Sequence, residues 1–387
     1  MRTFNTAGPC DPARHYMVPP LERLPQARRL VEQGDCFVLH APRQSGKTTL
    51  LRALAPALTA EGELAALQFS GETGEPMGDD YEEAQRSVLS DVRRRAQLDL
   101  PLELQPPDPW PASAPGNLLS SGFTAWARAC PRPLVLFFDE IDALRGESLR
   151  SVLRQIRAGF PDRPAGFPWS IVLCGLRDVR DYKAASGGNA DRLGTSSPFN
   201  VKVDSPLLTD FSEENVRALY GQHTTETGQP FTEEALSLLF ELSRGQPWLT
   251  NALAREIILG MNIAPPAPIT RDHVQTARER LILARATHLD SLVARLAEPR
   301  VKRVLEPIVA GSVVVSDTYD DDVSYVRDLG LLAPGNPLRI ANPIYREVIV
   351  RVMASSVEGN VLADPRSFVD PDGRLNLKRI LVEFMAF

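Results

Sequence analysis

A chain of 387 residues, 43% hydrophobic and 24% charged, has the make-up of a folded protein with room for two or three separate cores. Its net charge of −6 argues against a global polyanion-binding surface and leaves room for a local basic patch. Cys10, Cys36, Cys130 and Cys174 are widely spaced without a C-x-x-C, which argues against a zinc site or disulfide framework and for buried, reduced thiols. The N-terminus has no apolar signal core and no run approaches the ~18 apolar residues of a membrane span, so the expected location is cytoplasmic.

Residues 1–35 predict an extended arm, rich in Pro and Gly up to Pro20, and then a first helix near Leu21 to Glu32. The stretch that follows organises the chain. Cys36 to His40 is an apolar run of strand length, Ala41-Pro42-Arg43-Gln44-Ser45-Gly46-Lys47-Thr48-Thr49 is a loop, and Leu50, Leu51, Leu54 and Leu58 recur at helical spacing. The pattern A-x-x-x-x-G-K-T is a relaxed phosphate-binding loop. Gly46 lets the backbone approach a phosphate closely, Lys47 is placed to reach the β- and γ-phosphates, and the Thr48 hydroxyl is placed to ligate Mg²⁺. The helix that begins there aims its positive dipole end at the same anion. Ala41 stands where the usual motif has its first Gly, and Pro42 removes one N–H from the loop.

Leu64 to Phe69 predicts a second strand and Tyr81 to Leu98 an amphipathic helix. Six prolines between Asp99 and Gly116 rule out regular structure there and predict a surface insertion. After a helix over Leu118 to Cys130 comes Leu134-Val-Leu-Phe-Phe-Asp139-Glu140, an apolar strand ending in two acids. A parallel strand with its C-terminal edge at the phosphates has this form. Asp139 would hold Mg²⁺ through water and Glu140 would polarise the attacking water, whereas Asp142 has the simpler reading of a helix cap.

Ser170 to Cys174 predicts a further core strand, and Arg177 and Arg180 in the turn after it are either γ-phosphate contacts or surface partners of Asp178 and Asp181. Asn200 to Val203 would be the last strand. From Leu208 the composition turns helical, with Ser212 and Thr232 as N-caps and a break at Gly245-Gln-Pro247-Trp248 able to present Pro247 or Trp248 to a purine. The arm offers a second route to the base: His15 or Tyr16 either stacks on it or packs on the domain. Beyond a Pro-rich linker at 262–268, the order helix, short strand at Val313 to Val315, helix over Asp317 to Leu329, two strands around Pro334-Gly-Asn, and a last helix from Pro343 is that of a winged helix. Asp317, Asp320, Asp321 and Asp322 would repel phosphates at its groove-facing end, which favours a protein-facing module.

Together, Ala-Pro-Arg-Gln-Ser-Gly-Lys-Thr-Thr-Leu-Leu51, Leu-Val-Leu-Phe-Phe-Asp-Glu140, Gly-Gln-Pro-Trp248 and Ile-Ala-Asn-Pro-Ile-Tyr345 resemble the AAA-like ATP-binding proteins of bacteria, near the STAND signalling ATPases and the origin-recognition type of AAA+ ATPase. The resemblance spans residues 1–355. It implies an α/β P-loop NTPase with a parallel-sheet core over 36–206, a helical lid over 207–262 and an α+β winged-helix domain over 269–356. ATP and Mg²⁺ are then the expected ligands. Residues 41–49 and Pro247 would hold the nucleotide, Thr48 and Asp139 the metal, and Lys47 and Glu140 would serve the reaction. Arg192 is the best-placed arginine to complete a neighbouring subunit's site. Trp248 stands where origin-recognition ATPases carry a lid arginine, which leans towards the STAND type of switch.

Two functions are expected from this: an ATPase switch acting on a partner or attached effector, with an ATP-dependent homo-oligomer as one form of it, or a DNA-binding regulator that uses ATP to assemble. The apolar stripe Leu377, Ile380, Leu381 and Phe384 predicts that 357–387 leads into a further domain, often nuclease-like in proteins of this resemblance. No Glu-x-Lys follows a suitably spaced Asp, so no nuclease activity is expected of these residues themselves.

Overall fold

The protein is described from a computed structural model that covers residues 1–176, 204–284, 287–315 and 320–358, with 369–370 and 376. Arg177, Arg180, Arg192, the expected strand at Asn200 to Val203 and the stripe from Leu377 to Phe384 lie outside the described residues.

Helix α1 (Pro25–Glu32) precedes strand β1 (Phe37–His40), α2 (Lys47–Ala60), β2 (Ala65–Ser70), α3 (Tyr81–Asp99), α4 (Leu118–Ala129), β3 (Leu134–Asp139), α5 (Gly146–Gly159) and β4 (Ser170–Gly175). The strands form a parallel sheet in the order β1-β4-β3-β2. Residues 204–208 run beside β1, where Val38 donates to Asp204 O, His40 to Pro206 O and Leu208 to His40 O, so the order continues past β1.

Side chains alternate between the two faces of this sheet, as the two-residue period of a strand requires. Val38, Leu67, Phe69, Leu136, Phe138, Ile171 and Leu173 pack under α3, α4 and α5. Phe37, Leu39, Ala66, Val135, Phe137, Val172 and Cys174 pack under α1 and α2. Both faces being covered, β3 is buried along its whole length, which explains why its sequence is a continuous apolar run. Phe137→Ala would cost about 3–5 kcal/mol by this burial. The polar acids end the run because its C-terminal edge opens on a cavity.

The proline segment after Asp99 is irregular apart from short 3₁₀ turns, as expected, but it is no loose insertion. Leu104 is buried, and its carbonyl accepts from Trp126 Nε1 at 2.9 Å. Trp110 packs on Trp126, donates to Leu89 O, and lies under the Arg93 guanidinium. Prolines exclude a helix or ladder here, yet the aromatic rings strap the segment to α3 and α4.

The remaining helices are α6 (Glu213–Thr227), α7 (Glu233–Ser243), α8 (Pro247–Arg255), α9 (Arg271–Leu283), α10 (Thr287–Leu296), α11 (Pro299–Val309), α12 (Asp321–Asp328) and α13 (Pro343–Glu358). Ser212 caps α6 through a reciprocal box with Asn215, and the Thr232 hydroxyl accepts from Ala235 N–H at the start of α7. One apolar cluster joins α6–α8 to the C-terminal helices and takes in Phe4 and Tyr16 of the arm. The Pro-rich stretch between α8 and α9 is tied at both ends, since Gln229 Nε2 donates to Ile263 O and Ala267 O.

The two strands expected after α12 form a hairpin too short to count as regular strands. Leu332 and Ile340 make a single antiparallel bridge, flanked by Ala333 N–H to Arg339 O and Ala341 N–H to Leu331 O, and Gly335 turns the tip at φ 95°. Leu338 N–H donates to Val314 O, so 313–315 adds an edge to the hairpin. The acids opening α12 are not the bare negative cluster expected from sequence. Arg303 pairs with Asp320 and Asp322, and Arg300 with Asp322, while Asp320 caps the helix.

Candidate active site

The loop between β1 and α2 turns sharply twice. Gln44 at φ 58° and Gly46 at φ 93° adopt left-handed backbone, the conformation by which a short loop points successive N–H groups to one side. For Gln44 this conformation is uncommon, and an outlier held at such a loop is characteristic of a binding site. Ala41 is wholly buried beneath the loop, so the position can carry a methyl group where the usual motif has glycine. Pro42 packs against the turn after α12, where a Cβ on Gly330 would lie 2.8 Å from the proline ring.

Lys47 Nζ donates to Ala41 O at 2.7 Å and to Pro42 O at 2.8 Å, inside the curve of the loop. Burial lowers its pKa, so the ammonium gains from any anion that enters. The Thr48 hydroxyl donates to Asp139 Oδ2 at 2.7 Å, bringing the two expected metal residues together although they are far apart in sequence. Gln68 Nε2 reaches the same oxygen at 3.4 Å. Thr49 behaves differently: its hydroxyl accepts from Cys10 N–H of the arm at 3.1 Å, so it anchors the arm to α2.

Glu140 follows β3 at φ 52°, again left-handed, and the end of β2 lies close enough that a Cβ on Gly71 would meet Glu140 O at 2.8 Å. Its Oε2 accepts from Ser70 Oγ at 2.7 Å. Burial pushes the Glu140 carboxyl up; the Ser70 hydroxyl opposes that, and the Asp139 charge adds to it. Asp142 does not cap α5. Helix α5 starts at Gly146, the Glu147 N–H goes to Asp79 Oδ1, and Asp142 instead lines the cavity with Lys47 and Glu140.

That cavity has a volume of about 900 Å³, near the upper end of the range for small-molecule sites. The phosphate loop, the ends of β2, β3 and β4, the arm and the α8 turn all reach it, with Pro247, Trp248 and Asn251 lining the α8 side. Trp248 is fixed there, its indole N–H donating to Thr6 O at 3.0 Å and its ring packed on His288 at 4.9 Å. The Tyr16 ring is buried against Phe4 and His223, and His15 Nδ1 accepts from Asp11 N–H. Pro247 and Trp248 both line the cavity.

Sequence reading passed over Ser70, Gln68 and Arg23, which all line this cavity. The first two had a usable signal, because polar residues at the C-terminal end of a parallel strand face the ligand crevice. Arg23 had none.

No protein-family model matches the chain, and no curated protein matches it. Solved structures do. A Walker-type ATPase of Pyrococcus abyssi superposes with a TM-score of 0.60 at 14% identity, over 90% of this chain and 99% of that one. The fold is that of a P-loop ATPase. Weaker likeness extends to Cdc6p of Pyrobaculum aerophilum, with a TM-score of 0.49 at 12% identity over 89% of this chain and 97% of that one. It extends also to the RuvB Holliday junction branch migration motor of Thermotoga maritima, at 0.42 and 16% over 84% and 91%. Identities this low speak for fold alone. No helix among the described residues is long and apolar enough to cross a membrane.

Proposed function

We propose that the protein is an ATP-binding and ATP-hydrolysing switch of the AAA+ kind, which passes its nucleotide state to a partner protein or attached effector. What carries this reading is the convergence of Lys47, the Thr48–Asp139 pair and the Ser70–Glu140 pair on one edge of one cavity. Lys47 leaves the two loop carbonyls for the phosphates of the substrate, exchanging neutral acceptors for anionic ones.

The donor set fits Mg²⁺. Thr48 and Asp139 would hold it, and a site with one carboxylate and one hydroxyl suits an ion that keeps several waters and takes its other ligands from phosphate oxygens. When bound, the ion neutralises charge on the β- and γ-phosphates. Glu140 orients the attacking water and receives its proton, and Ser70 fixes the carboxylate for that task. Phosphate release from ATP is the direct test. The wild-type chain should turn over only with Mg²⁺, and Glu140→Gln should bind ATP but release almost no phosphate; full turnover by that variant would remove Glu140 from the reaction.

The C-terminal module over 269–356 supports a winged-helix reading through its order of helix, paired edge at Val314, helix and hairpin. A DNA-binding role gains from one observation, the pairing of Asp320 and Asp322 with Arg300 and Arg303, which removes part of the expected repulsion. Salt-dependent binding of duplex DNA would favour that role, and no binding at low salt, with or without ATP, would end it.

A further inference from the structure

The guanidinium of Arg23, in the 3₁₀ turn Pro20–Arg23 that ends the arm, touches two carbonyls at once. Nη1 donates to Ser45 O of the phosphate loop at 2.8 Å, and Nη2 donates to Thr209 O at 2.6 Å. Its plane lies over the Phe211 ring, with Cζ 4.7 Å from the centroid. Burial pulls its pKa down to about 10 and the Asp210 charge works against that, so it stays a cation at neutral pH.

Each of these contacts has a structural consequence. In a planar trans peptide the C=O and the next N–H point opposite ways. A cation that draws Ser45 O to one side therefore turns the Gly46 N–H to the other. The Ser45 hydroxyl is buried without a hydrogen-bond partner among the described residues, so the side chain does not set this orientation. Space around the contact is tight, since a Cβ on Gly46 would sit 2.8 Å from Arg23 Nη1. On the other side, Phe211 N–H donates to Gly245 O at 2.8 Å, and a Cβ on Gly245 would lie 1.8 Å from Phe211 O. Residues 209–211 are thus locked to the Gly245-Gln-Pro247 turn that presents Pro247 to the cavity.

We propose that Arg23 is a positioning residue that clamps the Ser45–Gly46 peptide in its phosphate-facing orientation and ties it to the segment Thr209–Phe211, so that the phosphate loop and the Pro247 turn respond to ligand as one unit. The proposal rests on the reading of this loop as the phosphate site. It also identifies what the loop uses in place of the N–H that Pro42 lacks: a fixed orientation for a remaining one.

Hydrogen exchange on the nucleotide-free protein tests the clamp without assuming any ligand. In Arg23→Ala, amides at 44–47 and at 209–211 should both exchange about tenfold faster or more, while Glu22→Ala on the same turn changes neither. Arg23→Lys is the milder variant; an ammonium cannot span both carbonyls, so at least one of the two segments should still loosen. Calorimetry then gives the functional arm, in which Arg23→Ala should bind ATP about 10–100-fold more weakly, the range expected for losing a charge-assisted hydrogen bond at the loop. ATP-induced protection at 245–251 should disappear in the same variant. Unchanged exchange at 44–47 in folded Arg23→Ala, or faster exchange there with 209–211 unmoved in both variants, would overturn the clamp. A wild-type chain that binds no ATP but shows the paired exchange effect would instead sink the ATPase reading and leave the clamp standing.

Discussion

The two ends of the cavity are built in opposite ways. At the phosphate end the chemistry comes from short local stretches: residues 41–48 supply loop, lysine and hydroxyl, and 139–140 supply both acids. At the far end nothing local suffices. Pro247 and Trp248 are held by Thr6 of the arm, by Phe211 across the Gly245 turn and by His288 of α10. On the proposed function this is a division of labour: the reacting groups sit where β3 ends and α2 begins, and the surface that would follow the ligand hangs on contacts between distant segments. Substitutions at the first end should change turnover and leave stability nearly alone, whereas those at the second should do the reverse.

The largest effect expected from that comparison is at Glu140. Glu140→Gln keeps the size of the side chain and removes its proton-accepting charge, so phosphate release should fall about 100-fold or more with ATP affinity within a factor of a few. A parallel loss of affinity would mean that Glu140 binds substrate. Ser70→Ala comes next. It should slow turnover about tenfold, and its signature is the pH profile. Glu140 acts ionised, so turnover falls as pH falls through its pKa, and burial places that limb above the ordinary glutamate value of 4.5. The Ser70 hydroxyl stabilises the charged form, so removing it moves the limb further up in pH. A limb that stays put in Ser70→Ala would show that the hydrogen bond does not tune the carboxylate.

At the far end, His288 gives a stability test. Burial pulls its pKa down to about 4, and its Nε2 lies 2.5 Å from Tyr345 Oη. A depressed pKa means that the unfolded chain takes the proton first. Its contribution is therefore present above about pH 6.5 and is lost as pH falls towards 4, by no more than about 3 kcal/mol. Thermal unfolding of wild type against His288→Phe over that window would measure it, and identical pH slopes would remove His288 as the cause. The smallest effect is expected of Trp248→Phe, which retains an aromatic ring but loses the N–H to Thr6 O: about 1 kcal/mol of stability, with turnover nearly unchanged. Greater loss of turnover than of stability there would blur the division between the two ends.

The same division explains how much was legible in the sequence. Strand and helix runs at 36–58, 64–98 and 118–140 appear within a residue or two of their expected places, because covered parallel strands must be continuous apolar runs and their helices must repeat at helical spacing. That Lys47, Thr48, Asp139 and Glu140 would come together at one cavity was legible for the same reason, each sitting where such a run meets a loop. Arg23 and the strapping of the proline segment by Trp110 and Trp126 depend on partners 20 or more residues away, which periodicity does not encode. The ion pairs of Asp320 and Asp322 were hidden for a related reason: their partners Arg300 and Arg303 stand a helix earlier in the chain.

The central claim is that Lys47 at the head of α2 holds the phosphates of ATP. Titration calorimetry of Mg-ATP into the wild-type chain and into Lys47→Ala tests it most directly. The account predicts a saturable one-site isotherm for the wild type and no measurable heat of binding for the variant, with both chains folded by circular dichroism. Equal affinity in the two would contradict it.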